Sequence, residues 1–329
     1  MGVSPSQPNL ENSTFLLDSA FIQGERRQAG DTWWGEIYLP LDKHYGKMVV
    51  EADLETASTI RRLHLGPHAI REMEGVEKLR QLRRLSWSSA TWPEIPEWIA
   101  DLPAIETLEI NQSRLQEIPP AFFDQIPTLR QLTLRDSPRL RTIPTGRHLT
   151  RLVITQCENL ESLPEDLFQH RLQSATLSGN PRLSRLPSPG DALTFLDASH
   201  CRLENLPWDL FHHRLATVLL NDNPGLVALP SLGPAFVSEL THLDVSFCDL
   251  ETLSPTLFRH LLAQLFVSGN PRLQTLPSPG ETLRVLHAAQ CGLQKLPLDL
   301  FARELREVKL SGNPGGCFFV VAMDGTMWR

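Results

Sequence analysis

Cysteines, histidines and carboxylates are the side chains of this sequence whose spacing could support chemistry. Four of the five cysteines, Cys157, Cys201, Cys248 and Cys291, recur at a nearly constant step of 43–47 residues. A thiol acts as a nucleophile when it is a thiolate in an exposed, electropositive place. A fixed step of this size marks instead one position in an internal repeat. No close pair of Cys or His has metal-ligand spacing, so no metal or cofactor is expected. His200, His242 and His287 fall at outward-facing strand positions, with Asp197 and Asp244 near them in the pattern. A histidine beside a carboxylate can move protons. An open sheet does not exclude water, so these residues are read as a surface and no catalytic residue is assigned.

The elements that must position them are repeats. Leu172 to Pro187, Leu193 to Pro207 and Leu215 to Pro230 each carry L-x-x-L-x-L-x-x-N/C-x-L, the leucine-rich-repeat pattern. Side chains alternate along a strand, so the leucines of each copy face one way and stacked copies share a core. Two kinds alternate. The first reads Ser-Gly-Asn-Pro-Arg-Leu, as at Asn180 and Asn270, and runs on to Leu-Pro-Ser-Pro-Gly. The second carries Cys and runs on to Leu-Pro-x-Asp-Leu-Phe, as at Leu163 to Phe168. Asn can bond the turn backbone with both its carbonyl and its amide. Proline early in the second kind suits one helical turn, and the first kind should be extended. The fold class is therefore an α/β leucine-rich-repeat solenoid, a horseshoe. It would have a parallel β-sheet on its concave face, with short helical turns and extended loops on its convex face.

Cysteines in alternate repeats would sit two strands apart, about 10 Å. That is beyond the reach of a disulfide, so reduced thiols and a reducing compartment are expected. The 26 prolines exclude long helices. A net charge of −7 argues against nucleic acid as a partner. No apolar run is long enough to span a membrane, and Asp18 interrupts Phe15-Leu16-Leu17, so no cleaved signal peptide is expected. Residues 1–57 read as a disordered start followed by a cap, with Trp33 to Leu39 as a plug and Met48 to Thr59 as a short helix. Residues 58–314 read as the repeat domain. Residues 315–329 read as a tail or edge cap, with Phe318 to Val321 as one last strand or the stretch following a truncation.

Two surfaces are candidates for a protein partner. The residue between the second and third core positions of each strand points outward, which gives Asp197, Leu219, Asp244, Phe266 and His287. Neighbouring columns add Phe195, His200, His242 and Phe247. Apolar side chains rimmed by polar ones often mark an interaction site. A secondary basic patch, Arg83, Arg84, Arg130, Arg135 and Arg151, would suit an acidic partner.

Three stretches resemble leucine-rich-repeat type III effectors of plant-pathogenic bacteria, such as the Xanthomonas outer protein L class. They are Leu79-Arg-Gln-Leu-Arg-Arg-Leu85, Trp92-Pro-Glu-Ile-Pro-Glu-Trp-Ile-Ala-Asp-Leu102 and Leu129-Arg-Gln-Leu-Thr-Leu-Arg-Asp-Ser-Pro-Arg-Leu140. The resemblance spans about residues 60 to 313. It implies a non-enzymatic binding module, exported without a cleaved signal into a host cell's cytoplasm, that recognises a host protein. In such effectors an E3 ubiquitin ligase domain often follows the repeats. Here 16 residues follow Asn313 and no cysteine lies in a Cys-x-Asp motif. The alternatives are the recognition part of such a ligase, with an E2 or a ubiquitination substrate as partner, and a plant-type intracellular receptor or scaffold in the cytoplasm.

Overall fold

The structure, a computed structural model, describes residues 14–29, 32–39, 45–67, 70–89, 92–231, 239–258, 261–300, 304–314, 320–321 and 327–328. Two compact units divide the chain, Met1–Leu149 and Thr150–Arg329.

In the first unit, β1 (Thr14–Leu17), β4 (Lys47–Val50) and β6 (Glu72–Glu74) form a small parallel sheet of their own. A larger sheet runs β2 (Arg26–Ala29), β3 (Thr32–Tyr38), β5 (Ile60–His64), β7 (Arg84–Ser88), β8 (Thr107–Asn111) and β9 (Gln131–Arg135). The pairing of β2 with β3 is antiparallel, and from β3 onward all pairs are parallel. Leu63, Leu85, Leu108 and Leu132 lie side by side in register and are fully buried. Trp87 takes a leucine position and meets Trp92 edge-on at 4.9 Å.

The start of this unit differs from its sequence reading. Thr32–Tyr38 is a strand of the sheet and not a separate plug, and the side chains of Trp33 and Trp34 are not among those described. Within the stretch expected to be helical, Lys47–Val50 is a strand because Met48 and Val50 bury alternately. Only Leu54–Ala57 is helical, capped by Asp53, whose carboxylate accepts from the Thr56 backbone N–H at 2.8 Å. That bond, the Thr56 hydroxyl and the Ser19 hydroxyl hold the Asp53 carboxyl down to about 2.

The second unit stacks eight parallel strands in chain order. They are β10 (Arg151–Thr155), β11 (Ser174–Thr176), β12 (Phe195–Asp197), β13 (Thr217–Leu219), β14 (His242–Asp244), β15 (Gln264–Phe266), β16 (Val285–His287) and β17 (Glu307–Lys309). Leu152, Ala175, Leu196, Val218, Leu243, Leu265, Leu286 and Val308 make one inward column. The Leu-Pro-x-Asp-Leu-Phe segments each make a single tight turn, with Leu210 N–H donating to Pro207 O and Leu300 N–H to Pro297 O, both at 3.1 Å. Leu167, Phe168, Leu210, Phe211 and Leu300 of these segments are buried. The Ser-Pro-Gly segments are extended and pack close behind them. A β-carbon at Gly190 would collide with the Phe168 carbonyl, and one at Gly280 with the Phe258 carbonyl. The two kinds of repeat alternate because their backs fit together.

In the tail, where one last edge strand or a stretch following a truncation is expected, Val320–Val321 (β18) is a strand that lies against β17. It pairs antiparallel with Met327–Trp328 (β19) in a separate two-stranded ribbon. Cys317 lies outside the described residues.

Candidate functional site

Turn chemistry sets the strand ends from which the open face is built. Asn180, Asn223 and Asn270 are fully buried. Each amide donates to at least two carbonyls, as Asn180 does to Ile154 O at 2.8 Å and Leu177 O at 2.6 Å. Each side-chain oxygen accepts a backbone N–H one turn back, from Cys157, Leu203 and Leu250, all at 3.0 Å. In the alternate turns the thiol reaches back to a carbonyl, Cys201 to Leu177 at 3.3 Å and Cys248 to Leu220 at 3.4 Å. Burial pushes both thiols up to about 11, so they remain protonated and inert. All four repeat cysteines are free.

The open face of the second unit carries the predicted columns in register. Thr176, Asp197, Leu219, Asp244, Phe266 and His287 form one, and Phe195, Thr217, His242 and Gln264 the next. Three rings from three strands touch. His242 lies 5.1 Å from Phe266, and Phe266 meets His287 edge-on at 4.6 Å. His287 continues to Glu307 at 2.9 Å, and Lys309 meets the same carboxylate at 2.8 Å. Lys309 first and His287 second hold the Glu307 carboxyl below its ordinary value. Asp197 and Asp244 are partly occupied. Each turns an oxygen onto the serine two residues on, and Asp197 takes both the N–H and the hydroxyl of Ser199, at 3.0 and 2.7 Å. Neither is a carboxylate paired with a histidine for proton transfer.

His200 and Phe247 are not on strands. They occupy the turn, with φ of 52° and 55°. One residue per turn is left-handed there: Gln156, Gly179, His200, Asp222, Phe247, Gly269, Gln290 and Gly312. L-residues pay for this conformation and glycine does not. The glycines serve a second end. A β-carbon at Gly269 would sit 2.5 Å from Phe247 Cδ1, so the Phe247 ring lies across that glycine while 53% of the residue stays exposed. Gln156 and Gln290 lie across Gly179 and Gly312 in the same way. His200 faces Asp222 instead and pairs with it at 3.5 Å. The Ser-Gly-Asn triplets carried the signal for this column, but nothing in the sequence gave their neighbours the same backbone.

The basic patch is not a field of unpaired cations. Arg83 pairs with Glu106, and Arg84 pairs with Glu109 at 2.5 Å. Arg130 turns onto the Pro127 carbonyl at 2.7 Å. Arg135 and Arg151 are exposed. Arg151 belongs to the second unit and the other four to the first.

Parallel strands, inward leucines and buried turn asparagines define a leucine-rich-repeat solenoid. Residues 239–261 match the Leucine Rich Repeat family model. Among solved structures, the chain is similar to Toll in the Drosophila Toll–Spatzle complex, at 20% identity with a TM-score of 0.53. That match covers 82% of this chain and 41% of that one. It is also similar to YopM, a leucine-rich effector from Yersinia pestis, at 22% identity with a TM-score of 0.52, covering 77% and 72%. The repeat domain of the type III effector XopL matches at 20% identity over 69% and 67%, with a TM-score of 0.38, too low to carry an argument. These likenesses show the fold. No curated protein matches the sequence. No described helix is long and apolar enough to cross a membrane, and the described residues hold no cluster of metal-ligating side chains.

Proposed function

We propose that this chain is a protein-binding module whose partner sits on the open face of the second unit, between Phe195 and His287. The observation that carries this is the ring cluster of His242, Phe266 and His287, placed on a face that rigid strands present to solvent. Aromatic anchors on a flat sheet lose little entropy on binding and tend to dominate interface energy. Leu219 and Phe247 add apolar groups, Asp244 lies between Leu219 and Phe266, and Asp197 and His200 are polar neighbours. The role we assign is that of a bacterial effector delivered to the cytoplasm of a host cell, with a host protein as its target. The effector-like stretches near Leu79, Trp92 and Leu129 support that role, and the fold shared with YopM is compatible with it.

The test has two stages. A host-lysate pull-down with the full chain identifies a binder, whose affinity is then measured with Phe195→Ala/Phe266→Ala. Truncating two anchors should weaken binding at least about tenfold while the fold persists. Binding that survives this change, but is abolished by Arg83→Ala/Arg84→Ala, would place the site on the first unit.

A further inference from the structure

Glu36, His64 and Ser86 stand on β3, β5 and β7 of the first unit, on the face opposite its leucines. Parallel register sets Tyr38, His64 and Ser86 side by side, and Glu36 shares their face two residues before Tyr38. His64 Nε2 lies 3.1 Å from Glu36 Oε1, and His64 Nδ1 hydrogen-bonds to Ser86 Oγ. Tyr38 stacks flat on the imidazole at 4.2 Å, so the His64 side chain is only 21% exposed. Burial works to raise the Glu36 carboxyl, but the His64 hydrogen bond and the Arg62 charge outweigh it. The carboxyl therefore lies below its ordinary value and is ionised at neutral pH.

An ionised carboxylate at Nε2 holds the ring proton there and leaves the Nδ1 lone pair facing the serine hydroxyl. A nucleophile touching a base, with a third group orienting that base, is the arrangement that activates serine. All three residues stand on strands, which hold such geometry better than loops do. Arg84 precedes Ser86 by two residues on the same strand, and its Nε is buried without a hydrogen-bond partner. Its guanidinium is held at its other end by Glu109, at 2.5 Å, on the neighbouring strand. A polar hollow adjoins it, lined by Arg84, Ser88, Glu109, Asn111, Thr133 and Arg135 among others.

We propose that Ser86 is an activated nucleophile and that this site hydrolyses small, polar carboxylic esters through an acyl-serine. Ser86 Oγ bonds to the ester carbonyl carbon as its proton passes to His64 Nδ1. The carbon–oxygen bond to the alcohol then breaks, and the alcohol leaves with that proton. Water next attacks the acyl carbon, giving a proton to His64, which returns it to Ser86 as the carboxylic acid departs. An open sheet has no wall to hold a long acyl chain, which favours small esters. This activity lies in the first unit and is independent of the protein-binding face of the second.

The experiment uses the full chain with p-nitrophenyl acetate, following release of p-nitrophenolate. A fluorophosphonate probe, mapped by mass spectrometry, reports the nucleophile. Turnover is expected to fall by about 100-fold or more in Ser86→Ala and in His64→Asn. Ser174→Ala, on β11 of the second unit, should leave it unchanged. Probe on Ser86 of the unmodified chain supports the proposal whether or not the variants fold. Probe elsewhere, no labelling at all, or an undiminished rate in folded Ser86→Ala overturns it.

Discussion

Asn180 Oδ1 accepts the backbone N–H of Cys157 at 3.0 Å, so this turn of the second unit is tied to the one before it by a fully buried side chain. Replacing Asn180 by Ala takes the partner from that N–H and the Asn180 bond from the Ile154 carbonyl, and leaves the Leu177 carbonyl to the Cys201 thiol. The expected cost is roughly 1–3 kcal/mol per orphaned group, reduced where water enters. Cys201→Ser keeps a donor toward Leu177 O and should cost less. Urea melts of the two variants check the order, and an equal loss would mean that the asparagine bonds contribute little.

Titration of the buried thiols should appear in the alkaline stability of the protein. Cys201 and Cys248 are raised from 9.0 to about 11 by burial, so the folded state holds their protons more tightly than the unfolded chain does. Their contribution is complete below the unfolded value and is lost as pH rises from about 9 through about 11. Denaturant midpoints at about pH 8 and about pH 10.5 should show a decline that Cys201→Ala/Cys248→Ala reduces. An identical decline in that variant would assign it to other groups.

Gly190→Ala should destabilise far more than Gly225→Ala. At Gly190 the added carbon meets the Phe168 carbonyl and the Gln169 Cα, which are backbone and cannot step aside. At Gly225 the nearest atom is Glu204 Cγ at 3.2 Å, on a side chain that can swing away. Overpacking against fixed atoms costs about 1–3 kcal/mol. Thermal midpoints decide the matter, and comparable shifts would mean that the return segments are loosely packed.

The left-handed column can be probed from both sides. Gln290→Gly should be neutral or mildly stabilising, since it removes the conformational penalty of an L-residue at φ 53°. Gly269→Ala should be costly, because it adds that penalty and drives a methyl into the Phe247 ring. If both melt like the parent chain, the ladder of left-handed residues is not under strain.

Much of the second unit could be read from its sequence because period 2 in the strand and a fixed repeat step leave few alternatives. The Asp197-to-His287 column followed directly from the leucine positions, and the asparagine bonding from side-chain chemistry. The first unit was harder because residues before Ile60 carry no repeat. Lys47–Val50 looks helical by composition, and only its alternating burial against β1 makes it a strand. His200 and Phe247 were placed on the right face but on the wrong element, since strand counting ends before the turn begins. The Glu36–His64–Ser86 contact was invisible. Its members are 28 and 22 residues apart, and a bulge between Gly35 and Glu36 shifts the register that joins them.

The pairing of His200 with Asp222 has a consequence for recognition. A ladder of near-identical rungs offers a ligand several equivalent positions, each one step from the next, and so gives it no reason to stop at any of them. Gln156, Phe247 and Gln290 each lie down over a glycine and repeat the same profile. At one rung the glycine is replaced by Asp222, the imidazole of His200 stands 62% exposed, and the sequence of identical profiles is broken. That single irregularity is an index mark from which a partner can count.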